Sequence, residues 1–281
     1  MVLIRIVSRL GLKDSKLLLS VYRKYISLRY KGLFNQFIAF RNMEIKVGRD
    51  LGLFPSLIRG DFEHDELQIV SGLELDSGVS IWDVGANIGV YSIFFAKIFK
   101  NAKIVSFEPC KSTFELLKEN LSHNKCEKIS LFNCGLGQST ESQFLIESDL
   151  GPASNSIVLQ EGPLGNTREK IEMTTIDVFI SNFPDLAPKL IKIDVEGYEP
   201  QVIMGGEVFI KSQKPIIMME VFPLLWNKNS YADWRACLDF LFMTYGQALG
   251  LGSHDSRVIR SFNFERNQNQ RTLFFGLKKN L

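Results

Sequence analysis

Asp83, Gly85, Asn87 and Gly89 fall within "WDVGANIG", an apolar run that ends on an acid and breaks into a glycine-rich turn ahead of "VYSIFFAKIF", a stretch with helical spacing. Such a turn brings backbone N–H groups and a helix N-terminus close to a ligand with little side chain between them. A dinucleotide fingerprint would require GxGxxG, whereas this chain has a GxNxG arrangement. The Asp83 carboxylate is awkward for a pyrophosphate but suits an ammonium group, and the helix N-terminus suits a carboxylate on the same ligand. An amino-acid headgroup satisfies both. Glu108 ends the next apolar run 19 residues past Gly89, near the roughly 20-residue offset at which a carboxylate accepts hydrogen bonds from ribose hydroxyls. A nucleoside joined to an amino acid is implied, and S-adenosylmethionine fits. The alternative is a tight connection that binds nothing.

A second group of acids lies in "IKIDVEGYE". Methyl transfer from such a donor requires an acceptor atom aligned with the S–CH₃ bond and, where that atom carries a proton, a group that draws it off. Asp194 is the leading candidate because a carboxylate directly after "LIKI" needs a partner or a task. Glu196 and Glu199 follow. Glu196, beside Gly197, also reads as a solvated turn residue, and Glu199, before Pro200, as an acid favouring a helix start. Lys192 could pair with a carboxylate or project to an exposed end. A Mg²⁺ held by Asp194, Glu196 and an upstream acid is chemically reasonable, but a required metal is not favoured. In "RGDFEHDEL", Glu63 and His64 are candidates for the acceptor side, as is Glu199. Polarity and position suggest the same of Ser154, Asn155 and Ser156, while His123 and His254 have no constellation around them.

These residues sit in an alternation of short apolar runs and amphipathic stretches. Strands are expected over 79–84, 103–109, 129–137, 189–197 and 214–222, and helices over 88–99, 111–124, 174–183, 199–211 and 231–246. Residues 138–173 lack helical period and read as a hairpin or loop excursion. The runs 255–264 and 271–279 read as an antiparallel pair at one edge. Continuous strand–helix alternation implies an α/β doubly wound, mostly parallel sheet with an antiparallel C-terminal edge.

"WDVGANIGVYS", "FEP", "NCGLG", "TTID" and "IKIDVEGYE" together resemble the FkbM family of S-adenosylmethionine-dependent methyltransferases, over roughly residues 60–222 and including "GDFEHDEL". The resemblance implies a class I (Rossmann-like) methyltransferase fold with a seven-stranded sheet. It also implies O-methylation of a sugar or a glycosylated metabolite. By motif, Asp83, Gly85, Ala86, Asn87 and Gly89 would hold the methionine moiety and Glu108 the ribose, with Asn133, Cys134 and Gly135 bordering the adenine. The partner would be a small molecule or a glycan acceptor. N- or carboxyl-methylation on the same scaffold, and a non-catalytic binding module, are the alternatives.

The 281 residues carry a net charge of +2, but the first 40 hold eight Lys/Arg against Asp14 alone, so the remainder is negative. A negative core disfavours nucleic acid. Residues 1–45 are expected to form a basic amphipathic helical extension and residues 46–281 the methyltransferase domain. The extension reads as a cover helix, with peripheral contact of residues 1–40 at the inner membrane face as the alternative. Cys110, Cys126, Cys134 and Cys237 are widely spaced without a CxxC pair, so reduced thiols and a cytoplasmic location are expected.

Overall fold

The computed structural model describes residues 24–25, 28–30, 32–33, 35–48, 53–146, 156–158, 168–221, 223, 230–252, 256–263, 267 and 270–277. Most of the basic extension, together with Ser154 and Asn155, lies outside these residues. The described chain opens with a hairpin, β1 (Phe37–Phe40) and β2 (Met43–Lys46), then α1 (Phe54–Arg59) and α2 (His64–Ser71). The sheet begins with β3 (Ser80–Val84), α3 (Val90–Ile98), β4 (Lys103–Phe107), α4 (Lys111–His123) and β5 (Ser130–Phe132). An excursion follows through β6 (Gly135–Leu136), β7 (Ser142–Ile146), β8 (Ser156–Val158) and β9 (Arg168–Thr174). After α5 (Ile176–Asn182) come β10 (Pro188–Ile193), α6 (Glu199–Met204), α7 (Glu207–Gln213), β11 (Ile216–Glu220) and α8 (Tyr231–Tyr245). The last strands are β12 (Ala248–Gly252), β13 (Ser256–Ile259) and β14 (Gln270–Phe275).

The main sheet has eight strands in the order β13-β12-β14-β11-β10-β3-β4-β5. From β11 to β5 all neighbours run parallel, and β14 is antiparallel to both β11 and β12. The chain builds outward from β3 through β4 to β5, then returns to the other flank as β10 and β11. The order reverses between β3 and β10, the switch point at which open α/β sheets bind ligands beyond their strand ends.

Side-chain parity divides the sheet into two faces. Trp82, Val84, Val105, Phe107, Ile191, Ile193, Ile217 and Met219 pack into one apolar cluster, and Ile81, Ile104, Leu190 and Met218 into the other. Trp82 is fully buried, and its indole N–H donates to the Leu186 carbonyl at 2.7 Å, so its one polar group is satisfied. On the second face the same parity puts Ser106, Asp83 and Lys192 side by side, because Asp83 is in register with Ser106 on β4 and Lys192 on β10.

Four expectations need correction. Eight strands stand where seven are expected, because the 255–264 and 271–279 runs do not pair with each other. β12 lies between β13 and β14, built from a stretch of Gly, Leu and one Ala that lacks β-branched residues. The 129–137 run splits into β5 and β6, which belong to different sheets. The 199–211 helix divides at Gly205–Gly206, where a Cβ on Gly205 would lie 1.9 Å from the Gly137 carbonyl oxygen. At the end of the expected helical extension, residues 37–46 form the β1–β2 hairpin in place of helix, running one residue past its boundary at 45. Asn120 ties it down: its Nδ2 donates to the carbonyls of Lys46 (3.0 Å) and Ile88 (2.8 Å), and its Oδ1 accepts from Lys46 N–H at 2.8 Å. The 138–173 excursion is a small antiparallel sheet in the order β8–β7–β9, in which β7 and β8 form the hairpin and β9 returns to the other side of β7.

Candidate active site

The turn after β3 is left-handed at Gly85, Asn87 and Gly89, with φ of 74°, 49° and 93°. Its glycines are required first by the protein itself. A Cβ on Gly85 would lie 1.9 Å from the Asp194 carbonyl oxygen, and one on Gly89 would lie 2.6 Å from Leu117 Cδ1. Gly85 therefore lets the ends of β3 and β10 meet at the switch point. Gly85 and Ala86 both donate to the Phe107 carbonyl, at 3.1 and 2.9 Å, which fixes the turn against the end of β4.

Glu108 occupies that end. Its Oε2 accepts from Asn87 N–H and its Oε1 from Cys110 N–H, both at 2.9 Å. One carboxylate thus bridges the glycine-rich turn and the start of α4. Burial raises its pKa from 4.5 to about 7, partly offset by these two N–H donors. Asn133 supports it from behind, with Nδ2 donating to the carbonyls of Glu108 (2.8 Å) and Pro109 (3.0 Å). Next along the chain, Cys134 is half-buried, with burial pushing its thiol up to about 11, and Gly135 packs on the Met173 side chain.

Asp83 is fully buried beneath the turn. Its Oδ2 accepts from Ser92 Oγ at 2.6 Å, and Ser92 Oγ lies 2.8 Å from Ser106 Oγ. The Oδ1 faces Lys192 Nζ at 3.6 Å, and the same ammonium lies 3.1 Å from Asp194 Oδ2 and 5.1 Å from the centre of the Tyr91 ring. Burial raises the Asp83 pKa, and Lys192 opposes that rise. For Lys192 burial is likewise the largest influence, disfavouring its charge, but the surrounding carboxylates outweigh it and hold the ammonium protonated. Lys192 thus takes the pairing alternative, with two acids at once.

From α2 and the turn before it, Glu63 and His64 diverge. Glu63 accepts from Tyr91 O–H at 2.5 Å, and burial together with the nearby Asp194 charge lifts its pKa to about 7. His64 is exposed, with its Nδ1 3.3 Å from Arg41 Nη2. Glu63 therefore joins the carboxylate group at the switch point and His64 stands outside it.

Beyond β10, Glu199 is 2% exposed and folds back on its own turn, accepting from Val195 and Gly197 N–H at 3.0 and 3.2 Å through Oε1. Burial raises its pKa to about 7. Glu196 sits exposed at the tip of that turn in a left-handed conformation, φ 56°. Glu220, the last residue of β11, is a member of this group that sequence reasoning missed. It ends an apolar run just as Asp83 and Asp194 do, so strand-end position was the available signal. Asn87 Oδ1 is a buried acceptor without a hydrogen-bond partner, whereas Asp83 Oδ1 has the Lys192 ammonium as its ion-pair partner. An acceptor lacking a donor, beside a carboxylate held by backbone N–H groups, fits a ligand with an ammonium group and a ribose. Among the described residues, no helix is long and apolar enough to cross a membrane.

A family model described as the Methyltransferase FkbM domain matches residues 83–247, more than half of the chain. "Methyltransferase 1" of Beauveria bassiana is 26% identical over 142 residues, covering 44% of this chain and 57% of that protein. "Hexuronic acid methyltransferase AglP" of Haloferax volcanii is 29% identical over 138 residues, covering 49% of this chain and 54% of that protein. The chain thus spans little more than half the length of either relative. The crystal structure of a methyltransferase FkbM from Methylobacillus flagellatus is 20% identical, covers 73% of this chain and 45% of that chain, and superposes with a TM-score of 0.46. The matched segment runs from Asp83 through both strand ends of the switch point, and the chain belongs to the FkbM family of methyltransferase domains.

Proposed function

We propose that this protein transfers a methyl group from S-adenosylmethionine to a hydroxyl of a sugar or a glycosylated small molecule. The observation that carries the donor assignment is Glu108, whose carboxylate is fixed by Asn87 and Cys110 N–H at the edge of the glycine-rich turn. With both oxygens already oriented, it accepts ribose hydroxyls at little reorganisation cost. Asn87 Oδ1 receives the donor's ammonium group, and Asn133 to Gly135 border its base. When bound, the donor supplies an electrophilic methyl group, and the protein's task is alignment and exclusion of water.

The acceptor lies toward the ends of β10 and β11. Asp194, half-buried and held 3.1 Å from Lys192 Nζ, draws the proton from the acceptor hydroxyl. Glu63, Glu199 and, at the rim, Glu196 surround that position, while His64 stands apart from it. A hydroxyl acceptor is supported by this concentration of carboxylates, and a carbohydrate by the named activity of the Haloferax relative.

Two measurements test this reading. Calorimetry should show binding of S-adenosylmethionine and of its demethylated product. Labelled donor offered with uronic-acid and neutral glycosides should then label one of them. Asp194→Ala should lose turnover while keeping donor affinity within a few-fold. A protein that binds neither donor nor product would sink the proposal, and equal turnover in Asp194→Ala would make the base another group.

A further inference from the structure

Three acids converge at the carboxyl ends of two adjacent parallel strands. Asp194 directly follows β10, Glu220 ends β11 and Glu199 opens α6. One carboxylate oxygen from each lies within 4.8 Å of the other two. Glu199 is 2% exposed, with Oε1 engaged by the Val195 and Gly197 N–H groups, while Oε2 is buried with no hydrogen-bond partner. Lys192 reaches Asp194 from the β3 side, at 3.1 Å. The charges acting most strongly on Glu220 are those of Asp194, Glu196 and Glu199, all acids. Like charges at this spacing, one buried and two half-buried, favour either a shared proton or a cation.

We infer that Asp194, Glu199 and Glu220 hold one oxygen-seeking divalent cation, Mg²⁺ or Mn²⁺. The donor set is all carboxylate, and among the described residues neither His nor Cys joins the group, which favours a hard cation over zinc. Oxygens on opposite sides of such an ion stand roughly 4–5 Å apart, so the observed spacing closes on a metal with side-chain motion alone. Two ligands come from rigid strand ends, and the third is oriented by two backbone N–H groups on its other oxygen. The expected metal set of Asp194, Glu196 and an upstream acid is thereby revised. Glu196 lies exposed at the turn tip, and Glu220 supplies the third ligand.

The inference deepens the proposed function, and its catalytic meaning rests on that reading. Three protein ligands leave positions for water and for the acceptor hydroxyl. Coordination lowers the hydroxyl pKa, so Asp194 takes its proton more readily as the oxygen attacks the methyl carbon. The O–C bond forms, the C–S bond breaks, and the sulfonium becomes a neutral thioether.

The test is metal binding by the full chain, independent of turnover. Protein stripped with EDTA and dialysed is titrated with Mn²⁺, following loss of the free-ion electron paramagnetic resonance signal. One Mn²⁺ per chain, displaced by Mg²⁺, is expected. Glu220→Gln should weaken it by at least about 10-fold, the loss seen even for outer-shell partners. Asp194→Asn, just beyond the end of β10, should do the same and serves if Glu220→Gln fails to fold by circular dichroism. Asp239→Asn, an exposed acid on α8, should leave it unchanged. Absence of a bound Mn²⁺ in the wild type, or equal affinity in the folded variants, would overturn the site and leave the shared proton as its explanation. Binding of the demethylated product, measured in EDTA, reports separately on the proposed function. Product binding without Mn²⁺ refutes the metal site alone, and Mn²⁺ binding without product refutes the methyltransferase reading.

Discussion

Replacing Gly85 with alanine separates two reasons for a glycine in the turn. A ligand that needs close backbone approach would make Gly85→Ala a binding defect in a stable protein. The structure gives a different expectation, because the new Cβ would stand 1.9 Å from the Asp194 carbonyl oxygen, where ordinary contact begins near 3.4 Å. The ends of β3 and β10 would have to separate by roughly 1.5 Å. That movement stretches the Asp194 N–H to Val84 carbonyl bond, 3.1 Å long, and disturbs the Lys192–Asp194 pair. Overpacking strain of about 1–3 kcal/mol, a left-handed penalty of about 1 kcal/mol and one weakened hydrogen bond of about 1 kcal/mol give a loss of about 3–5 kcal/mol. Gly197→Ala is the control. It also stands at positive φ, 98°, but nothing lies within 4 Å of its added Cβ, so only the conformational cost of about 1–2 kcal/mol applies. Urea unfolding of both variants measures the difference. Equal losses would refute the steric account, and a stable Gly85→Ala protein with reduced donor affinity would restore the ligand as the reason for the glycine.

Two further outcomes follow from the buried charges. Glu108 keeps its proton to about pH 7 in the folded chain and loses it near 4.5 when unfolded. Its contribution to stability is thus fully present below pH about 4.5 and gone above about 7, about 3 kcal/mol in all. Urea unfolding at pH 5 and 8 should show Glu108→Gln losing that part of the fall, and an unchanged pH slope would count against it. Lys192→Met leaves Asp83 fully buried opposite an apolar chain and should cost about 3–5 kcal/mol. Adding Asp83→Asn should recover part of that loss, and strictly additive losses in the double-mutant cycle would contradict the coupling.

Strand ends carried most of what could be read in advance. Asp83, Glu108 and Asp194 each close an apolar run, and parallel connectivity brings such residues to one edge of a sheet. Register was not readable. The row of Ser106, Asp83 and Lys192 exists because three strands align at those residues, and single-strand patterns carry no information about their neighbours. Glu63 was flagged with His64, but only the backbone at the start of α2, left-handed at Glu63 with φ 40°, turns one toward Tyr91 and leaves the other exposed. β12 was hidden for a different reason: a segment of Gly, Leu and one Ala becomes a strand by tertiary placement between β14 and β13, against its own weak propensity.

β14 has a consequence for how the chain is assembled. It wedges between β11 and β12, pairing with both, and its Thr272 hydroxyl donates to the buried Glu66 of α2, 206 residues upstream. The sheet therefore cannot close before β14 is in place: residues 270–275 must be available before the seam between β11 and β12 can be filled. Until then the edges of β11 and β12 stay unpaired, which makes the wait for β14 the interval in which this polypeptide is most vulnerable to proteases and to chance pairing with other chains.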